Sequence, residues 1–490
     1  MNNVPFQPSL RPALPNVYGS LDYRNFRETL IKIDDMLTSI DYEHQLIMAT
    51  LSDPSNNCEQ SIKHDSPRLY KQLKHALRCT FARHLTGESY RAFSLRLADS
   101  TLFQWFTGTH EFDRGKGISK SALERYEKYF DEDTVKATIQ RALNEFADGK
   151  KASEIGLNES IDFQDVWMDS TCVKSNIHFP IDWVLLRDAT RSMLCTIQTI
   201  RKQGLKHRMP SPKSLSKQMN KYCIAMSQTR RKIDSKKQRK RILRLMKQLS
   251  QCIAKHAKRY RQLIEEQWTM WSEAQKDLVI ARIDSILNQL PTAIKQAHER
   301  IIGERQVKSD EKLLSLYDRD CEVIVRGKAG SEVEFGQRLL LAEQKDGLLI
   351  DWELFSKDSL SDSHSIQPTV KRLQAMYGKV RSVCADRAFS SKGNSAFLKE
   401  NEITNGVCPK SPTQLQEHLK DPLFVSLQTR RSQTESRIGI FKNVFLGKPL
   451  RSRILKNKRH AVNWCVLSHN LWVIARKAIA NEQSRLKAAA

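Results

Sequence analysis

Strand-like sequence occurs in two separate parts of this chain, and a long helical block lies between them. The first strand pattern runs through SIDFQDVWMDSTCV, residues 160–173, and the others begin near residue 320. From 183 to about 310, apolar residues instead recur at the three-to-four spacing of packed helices. Any sheet must therefore pair the first strand with strands that come much later in the chain.

The later strands have clear turn signals between them. GKAG and QKDG divide residues 321–355 into apolar-rich runs, which predicts a three-strand antiparallel meander. A helix ended by Gly378 follows, and then another strand in RSVCADRAFSS, residues 381–391. These alternations predict an α/β fold with a mixed sheet.

The charge of the chain points to a polyanionic partner. Lys and Arg number 81 against 55 Asp and Glu, which gives a formal net charge of +26. Residues 201–261 hold 21 of these cations and a single acid, Asp234. Nucleic acid is the first candidate partner and an anionic membrane surface is the rival. No apolar run approaches the ~20 residues that span a bilayer.

Three features of the helical block bear on packing and base recognition. Its seam predicts a coiled coil or helical hairpin, and Pro291 is expected to limit the following helix. Trp268 and Trp271 could stack on an unpaired base, although core packing is the favoured interpretation.

Cysteine and histidine spacing argues against a zinc site. The ten cysteines form no CxxC pair and the thirteen histidines form no HExxH motif. If the chain uses a metal, its ligands should be carboxylates, which favour hard ions such as Mg²⁺ or Mn²⁺.

The front of the chain is compatible with DNA reading. Residues 1–66 are interpreted as an N-terminal arm and linker, and residues 67–150 are helical throughout. A helix capped by Ser119 follows a Gly-containing loop, as in a helix-turn-helix unit. Lys120, Arg125 and Lys128 would then face phosphate. A plain helical bundle with basic solvent faces explains the pattern equally well.

Three acids stand at positions where catalytic groups occur. Asp169 is predicted near the carboxyl end of the first strand, and Asp386 at the end of the strand after the meander. Glu435 is predicted on a helix, with Arg431 and Lys442 on the same face. A surface salt bridge between Arg431 and Glu435 is the plain alternative.

The order of these elements is that of an RNase H-like nuclease core. In that layout the first and fourth strands lie side by side, so Asp169 and Asp386 meet, and a later helix lays Glu435 across them. Three adjacent carboxylates would repel one another unless divalent ions held them charged. Two such ions suit in-line attack on a phosphodiester.

The motifs around these acids resemble the DDE transposases of bacterial insertion sequences. Arg431, Glu435 and Lys442 match the spacing of the family's Y-x2-R-x3-E-x6-K signature, but Gln428 stands where that signature has Tyr. The family's D-S-T and D-R-x-F motifs match residues 169–171 and 386–389, and RGKAGSEVEFG, residues 326–336, resembles its second-strand region.

The resemblance implies a domain layout and a set of DNA contacts. Residues 160–182 and 318–480 would form the RNase H-like catalytic core, residues 67–150 the domain that reads the element ends, and residues 183–317 a basic helical insertion. That insertion is interpreted as gripping DNA or forming a dimer. Arg431, Lys442, Arg387 and Gln428 would contact DNA beside the metal-binding acids.

The resemblance also implies the reaction. A transposase of this kind would bind two Mg²⁺ or Mn²⁺ ions at Asp169, Asp386 and Glu435, cut the element ends and join the freed 3′-OH to target DNA. It would act as a homodimer or larger synaptic complex in the bacterial cytoplasm, associated with the nucleoid. The alternatives are an RNase H-like nuclease or junction resolvase, and a non-catalytic DNA-binding descendant of a transposase.

Overall fold

A computed structural model describes most of the chain. The described residues are 13–14, 18–39, 41–52, 67–110, 117–177, 180–229, 234–309, 311–328, 331–357, 361–447, 450 and 452–489. The predicted linker at 53–66, most of the arm before residue 18 and residues 329–330 of the GKAG turn lie outside them. The chain divides into unit 1, Met1–Lys174 with Arg338–Ala490, and unit 2, Ser175–Gln337.

Unit 1 contains the front helices and most of the sheet. The helices before the first strand are α1 (Leu21–Ser39), α2 (Tyr42–Leu51), α3 (Pro67–Thr86), α4 (Tyr90–Asp99), α5 (Thr101–Thr107), α6 (Lys120–Glu127), α7 (Glu132–Glu145) and α8 (Gly149–Glu154). Ser119 caps α6 as predicted, because its side chain accepts a hydrogen bond from the Ala122 amide. The predicted segment 67–150 thus lies in the same compact unit as the sheet, and α1 and α2 contribute Leu30 and Leu46 to the shared core.

Unit 2 begins after β1 (Asp165–Lys174) and has its own core. It contains α9 (Asp182–Arg201), α10 (Pro212–Gln228), α11 (Ser235–Glu266), α12 (Glu273–Ile301), β2 (Glu322–Lys328) and the first half of β3 (Ser331–Glu343). The apolar seam of α11 packs against α9, α10 and α12. The unit boundaries, after residues 174 and 337, differ from the predicted insertion limits of 183 and 317.

One expectation for the helical block is wrong, and a second holds only in part. Pro291 lies inside α12 and does not end it, because neighbours such as Leu290 and Ala293 are buried in the unit 2 core and hold the helix together. Trp271 packs against that core, but Trp268 lies in the connection between α11 and α12 with 81% of its surface exposed. The favoured interpretation of core packing therefore holds for Trp271 alone.

The remaining elements complete the sheet in unit 1. They are β4 (Leu349–Leu354), α13 (Ile366–Tyr377), β5 (Ser382–Ala385), α14 (Lys392–Glu400), β6 (Thr404–Val407), α15 (Pro412–His418), α16 (Pro422–Ile440) and α17 (Leu455–Ala489). β2, β3 and β4 are antiparallel neighbours, as the turn signals predict, whereas β1, β5 and β6 pair in parallel. The strand order in unit 1 is β4-β3-β1-β5-β6. The predicted mixed α/β architecture is confirmed.

Helix α17 covers the edge strand of this sheet. The Asn470 side chain accepts a hydrogen bond from the Leu349 amide at 2.9 Å and donates one to the Leu349 carbonyl at 2.8 Å. Asn463 accepts a hydrogen bond from the Trp352 indole at 2.7 Å. Polar groups on a buried helix thus meet backbone groups that an edge strand leaves unpaired. Within the described residues, no helix combines the length and apolar character that a bilayer-spanning segment needs.

Candidate active site

The register of two parallel strands places two of the predicted acids side by side. Met168 of β1 lies opposite Ala385 of β5, so the next residue of each chain segment, Asp169 and Asp386, occupies the same level. Adjacent strands are about 4.8 Å apart, and residues at the same level of parallel strands point to the same face. The two aspartates therefore lie together on one face of the sheet.

Asp169 does not lie near the end of its strand, and that part of the prediction is wrong. β1 continues to Lys174, whereas its partner β5 is only four residues long and ends at Ala385. The strand that ends at the site is thus β5. Asp386 follows it directly and caps a short 3₁₀ turn, where its Oδ1 accepts a hydrogen bond from the Ala388 amide at 2.8 Å.

Helix α16 packs on the same face of the sheet. Trp167 and Cys384, which precede the two aspartates by two residues, form a small buried cluster with Leu427 of α16. The Trp167 indole donates a hydrogen bond to the Leu427 carbonyl at 3.0 Å. This contact anchors α16 across β1 and β5, beside the aspartates.

Gln428 joins α16 to the ends of the parallel strands β5 and β6. Its amide nitrogen donates to the Ala385 carbonyl at 3.2 Å and to the Gly406 carbonyl at 2.6 Å. Its amide oxygen accepts a hydrogen bond from Arg431 Nε at 3.1 Å. A tyrosine has only one hydroxyl and could not make all three contacts. In this chain, Gln428 thus orients both the strand ends and Arg431.

Glu435 is the most exposed of the three acids. Its side chain is 57% exposed, and its Oε1 lies 3.0 Å from Arg431 Nη1. The two residues are one helical turn apart, the spacing at which side chains pair along a helix. The plain alternative of a helix salt bridge is therefore present in the structure. The pair still belongs to the aspartate site, because both of its charges act on Asp169.

Burial and the surrounding charges shift the pKa of Asp169. Burial raises the pKa of Asp169 to about 6, and the negative charges of Asp386 and Glu435 act in the same direction. The hydrogen bond from the Ser170 amide and the positive charge of Arg431 lower it, but they do not compensate. The charges of Asp386, Arg431 and Glu435 thus all act on Asp169, and Gln428 is joined to them through its hydrogen bond with Arg431.

The carboxylates of Asp169, Asp386 and Glu435 have the chemistry of a site for a hard cation, but they are not close enough together to coordinate one. Carboxylate oxygens are the ligands that Mg²⁺ and Mn²⁺ prefer, and a nearby divalent ion would relieve the repulsion that raises the Asp169 pKa. In the described part of the chain, no three His, Cys, Asp or Glu side chains are grouped closely enough to hold a metal ion. Glu435 would have to leave Arg431 to join Asp169 and Asp386.

The other predicted DNA-contacting residues lie at different places in unit 1. Arg387 directly follows Asp386 and is exposed. Lys442 lies beyond the end of α16 in a π-helical turn, Phe441–Phe445, so the predicted α-helical spacing from Glu435 does not extend to it. Lys120 and Arg125 are exposed on α6, which packs against α3 and α4.

Sequence reasoning missed the contacts that hold α16 from its buried side. Glu343, the last residue of β3, is 1% exposed, and its Oε1 lies 2.8 Å from Arg430 Nη1 and 3.5 Å from Arg437 Nη1. Thr434 donates a hydrogen bond to the same oxygen at 2.7 Å, and Arg430 lies over the Trp167 ring. The three-to-four spacing of residues 427, 430, 434 and 437 is a visible signal for this face of α16.

The turn before β4 is shaped to admit one of these arginines. Gly347 has a φ of +91°, and a Cβ on it would lie 2.5 Å from Arg437 Cζ. The positive φ favours glycine, and any larger residue would also have to displace the Arg437 guanidinium. The predicted QKDG turn is thus also part of the support for α16.

Neutralising Asp169 is expected to stabilise the metal-free protein at neutral pH. Between its ordinary pKa of 3.8 and the raised pKa of about 6, the unfolded chain ionises this carboxyl while the folded chain keeps it protonated, so stability falls as pH rises through that window. At about pH 7.5, Asp169→Asn should therefore raise the free energy of unfolding by about 3 kcal/mol, and the gain should vanish below about pH 3. Urea unfolding in EDTA measures this difference.

Asp165→Asn is the matched control on the same strand. Burial tends to raise the pKa of Asp165, but hydrogen bonds from Arg381 and Ser382 and the charge of Arg381 hold it below its usual value. Stability from this group is present at neutral pH and is lost as pH falls, so Asp165→Asn should destabilise at pH 7.5. Equal responses of the two variants would contradict the acid cluster around Asp169.

Comparison of the sequence with protein-family models and with curated proteins, and of the fold with solved structures, found no match.

Proposed function

We propose that this chain is a DDE transposase that cuts DNA at the ends of an insertion sequence and joins them to target DNA. The observation that carries the proposal is the convergence of Asp169, Asp386 and Glu435 on one face of a mixed sheet, where the two other acids act on the pKa of Asp169. Perturbed carboxyl groups brought together from distant parts of a chain are typical of catalytic sites.

The order of the strands supports an RNase H-like core. Within the described residues, strand β2 pairs only with β3 and is left out of this count. The other strands, numbered one to five along the chain, are β1, β3, β4, β5 and β6. In the sheet they lie side by side in the order three, two, one, four, five. The first and fourth strands are thus the parallel neighbours that carry Asp169 and Asp386. This is the arrangement that the order of acids in the sequence predicts for such a nuclease.

The roles of the residues follow from their positions. Asp169, Asp386 and Glu435 would hold the divalent ions, which when bound would activate an attacking oxygen and stabilise the leaving oxygen. When Glu435 turns to the metal ions, Arg431 would lose its contact with Glu435 but keep its hydrogen bond to Gln428. Its guanidinium would then lie beside the site, where it can pair with a phosphate. Exposed Arg387 offers a second cation next to Asp386. The helical segment 67–150 would read the element ends, with Lys120 and Arg125 facing phosphate.

Strand joining is the reaction that tests the proposal. The purified chain is incubated with Mg²⁺ or Mn²⁺, a target plasmid and a duplex that carries the DNA flanking its own gene, with the 3′ end already cut. Covalent joining of the duplex to the plasmid is the expected result. The same duplex is also supplied uncut in a parallel reaction. Cleavage of the uncut duplex, with no joining of the pre-cut one, would contradict a transposase and favour an RNase H-like nuclease. Absence of both reactions would contradict either enzyme.

A further inference from the structure

One face of helix α11 in unit 2 is almost uniformly cationic. At 100° per residue, the buried residues of α11, such as Met246 and Ile253, fall on one side of the helix, and a set of cations falls on the other. We call this set the α11 stripe; it consists of Lys237, Arg241, Arg244, Lys247, Lys255 and Lys258. From its first to its last member it is about 32 Å long, at 1.5 Å per residue.

The acids near α11 neutralise cations outside the stripe. Glu304 pairs with Lys236 and Lys240. Near the end of the helix, Arg261 pairs with Glu265 and, at 2.7 Å, with Asp284 of α12. Among the residues that the structure describes, no carboxylate pairs with a member of the α11 stripe. Six like charges along one face repel one another unless an external anion neutralises them.

A groove beside the stripe extends the positive surface onto α12. It encloses about 890 Å³, and Lys247, Lys255 and Lys258 line it from α11 while Lys295 and His298 line it from α12. Its floor is apolar, with Leu287 and Ile294, and no carboxylate is among its lining residues. The lysines on both helices thus widen the positively charged surface beside the stripe.

We propose that the α11 stripe binds the phosphate backbone of duplex DNA without reading its sequence. The stripe is about as long as one turn of B-DNA, ~34 Å, and a duplex presents phosphates all along that length. The inference extends the proposed function by assigning a DNA contact to unit 2. A protein partner is disfavoured because lysine is depleted from protein interfaces. A membrane is disfavoured because the apolar side of α11 is buried in the unit 2 core, whereas an interfacial helix needs that side exposed.

Salt dependence of DNA binding tests this assignment. The stripe variant is Lys247→Gln, Lys255→Gln, Lys258→Gln in the full chain, and the control is Lys236→Gln, Lys240→Gln, Lys276→Gln. The control removes three lysines that already pair with Glu304 or Glu273, so both variants lose the same charge. Binding to a random-sequence duplex is measured in EDTA, where no strand is cut, at several salt concentrations.

In the stripe variant, the negative slope of log K against log salt should become shallower by about 2.7, because three phosphate contacts are lost and each contributes about 0.9. The control should change the slope by less than about 1. Equal slopes for the two variants would overturn the proposal. Binding to phosphatidylserine vesicles is measured in parallel, and a stripe variant that loses vesicle binding but keeps DNA binding would also overturn it. Because the assay includes no metal and no cleavage, it can succeed where the strand-joining test fails.

Discussion

Replacing Asp386 by Asn is expected to reduce DNA strand cleavage by about 10³-fold, while binding of the duplex is retained. The amide keeps the shape of the side chain, and its oxygen can still accept the hydrogen bond from the Ala388 amide. It removes the negative charge beside Asp169 that a divalent ion would need. Losing one preorganised electrostatic group at a reacting centre typically costs about 10²- to 10³-fold in rate. Single-turnover cleavage in Mg²⁺ and duplex binding in EDTA measure the two quantities.

Asp362→Asn is the control for this variant. Asp362 accepts a hydrogen bond from the Ser170 hydroxyl at 3.0 Å, and Ser170 points to the face of β1 opposite Asp169. The control thus removes a carboxylate that contacts the opposite face of β1 and that also pairs with Arg338 at 3.0 Å, so its stability is measured alongside its cleavage rate. Its cleavage rate should stay within a few-fold of the parent, whereas equal losses would refute the assignment of Asp386 to the site. Unchanged DNA binding and an unchanged biological effect in Asp386→Asn, with no cleavage by the parent, would favour a non-catalytic DNA-binding descendant.

The sequence supports the site better than it supports the local geometry. The order of strands was sufficient to predict that the strands carrying Asp169 and Asp386 are neighbours, and Glu435 lies on a helix as predicted. The level of Asp169 within β1 was not predictable, because that level depends on where the partner strand β5 ends and not on β1 itself. The face that Lys442 occupies was not predictable either, since a single π-helical turn after Ile440 changes the helical spacing.

Contacts between distant segments explain what the sequence could not predict. Pro291 is a helix breaker by local rules, yet it lies within α12 because packing in unit 2 holds that helix together. Gln428 departs from a family signature, and its three hydrogen bonds to two strand ends and Arg431 are apparent only in the folded chain. Glu343 has no signal of its own, because its partners lie on a helix almost a hundred residues later.

Truncation of Glu343 is expected to cost about 3 to 5 kcal/mol of stability, the usual result when one partner of a buried ion pair is removed. In Glu343→Ala, Arg430 and Arg437 would lose the carboxylate that offsets their burial. Burial already lowers the pKa of Arg437, and the charge of Glu343 opposes that effect. Since these arginines lie on α16, which also carries Glu435, cleavage should fall together with stability. Urea unfolding and single-turnover cleavage measure both effects.

Glu353→Ala separates this effect from the loss of any acid in the sheet. Glu353 is on neighbouring β4, is 38% exposed and lies 3.3 Å from Arg372, so its removal should cost about 1 kcal/mol or less. Glu343→Gln keeps an oxygen for Thr434 and should fall between the two, because the hydrogen bond survives while the charge is lost. If Glu343→Ala were as stable as Glu353→Ala, the buried pair could not be what holds α16 against β3. The placement of Glu435 would then have to depend on Trp167 and Gln428 alone.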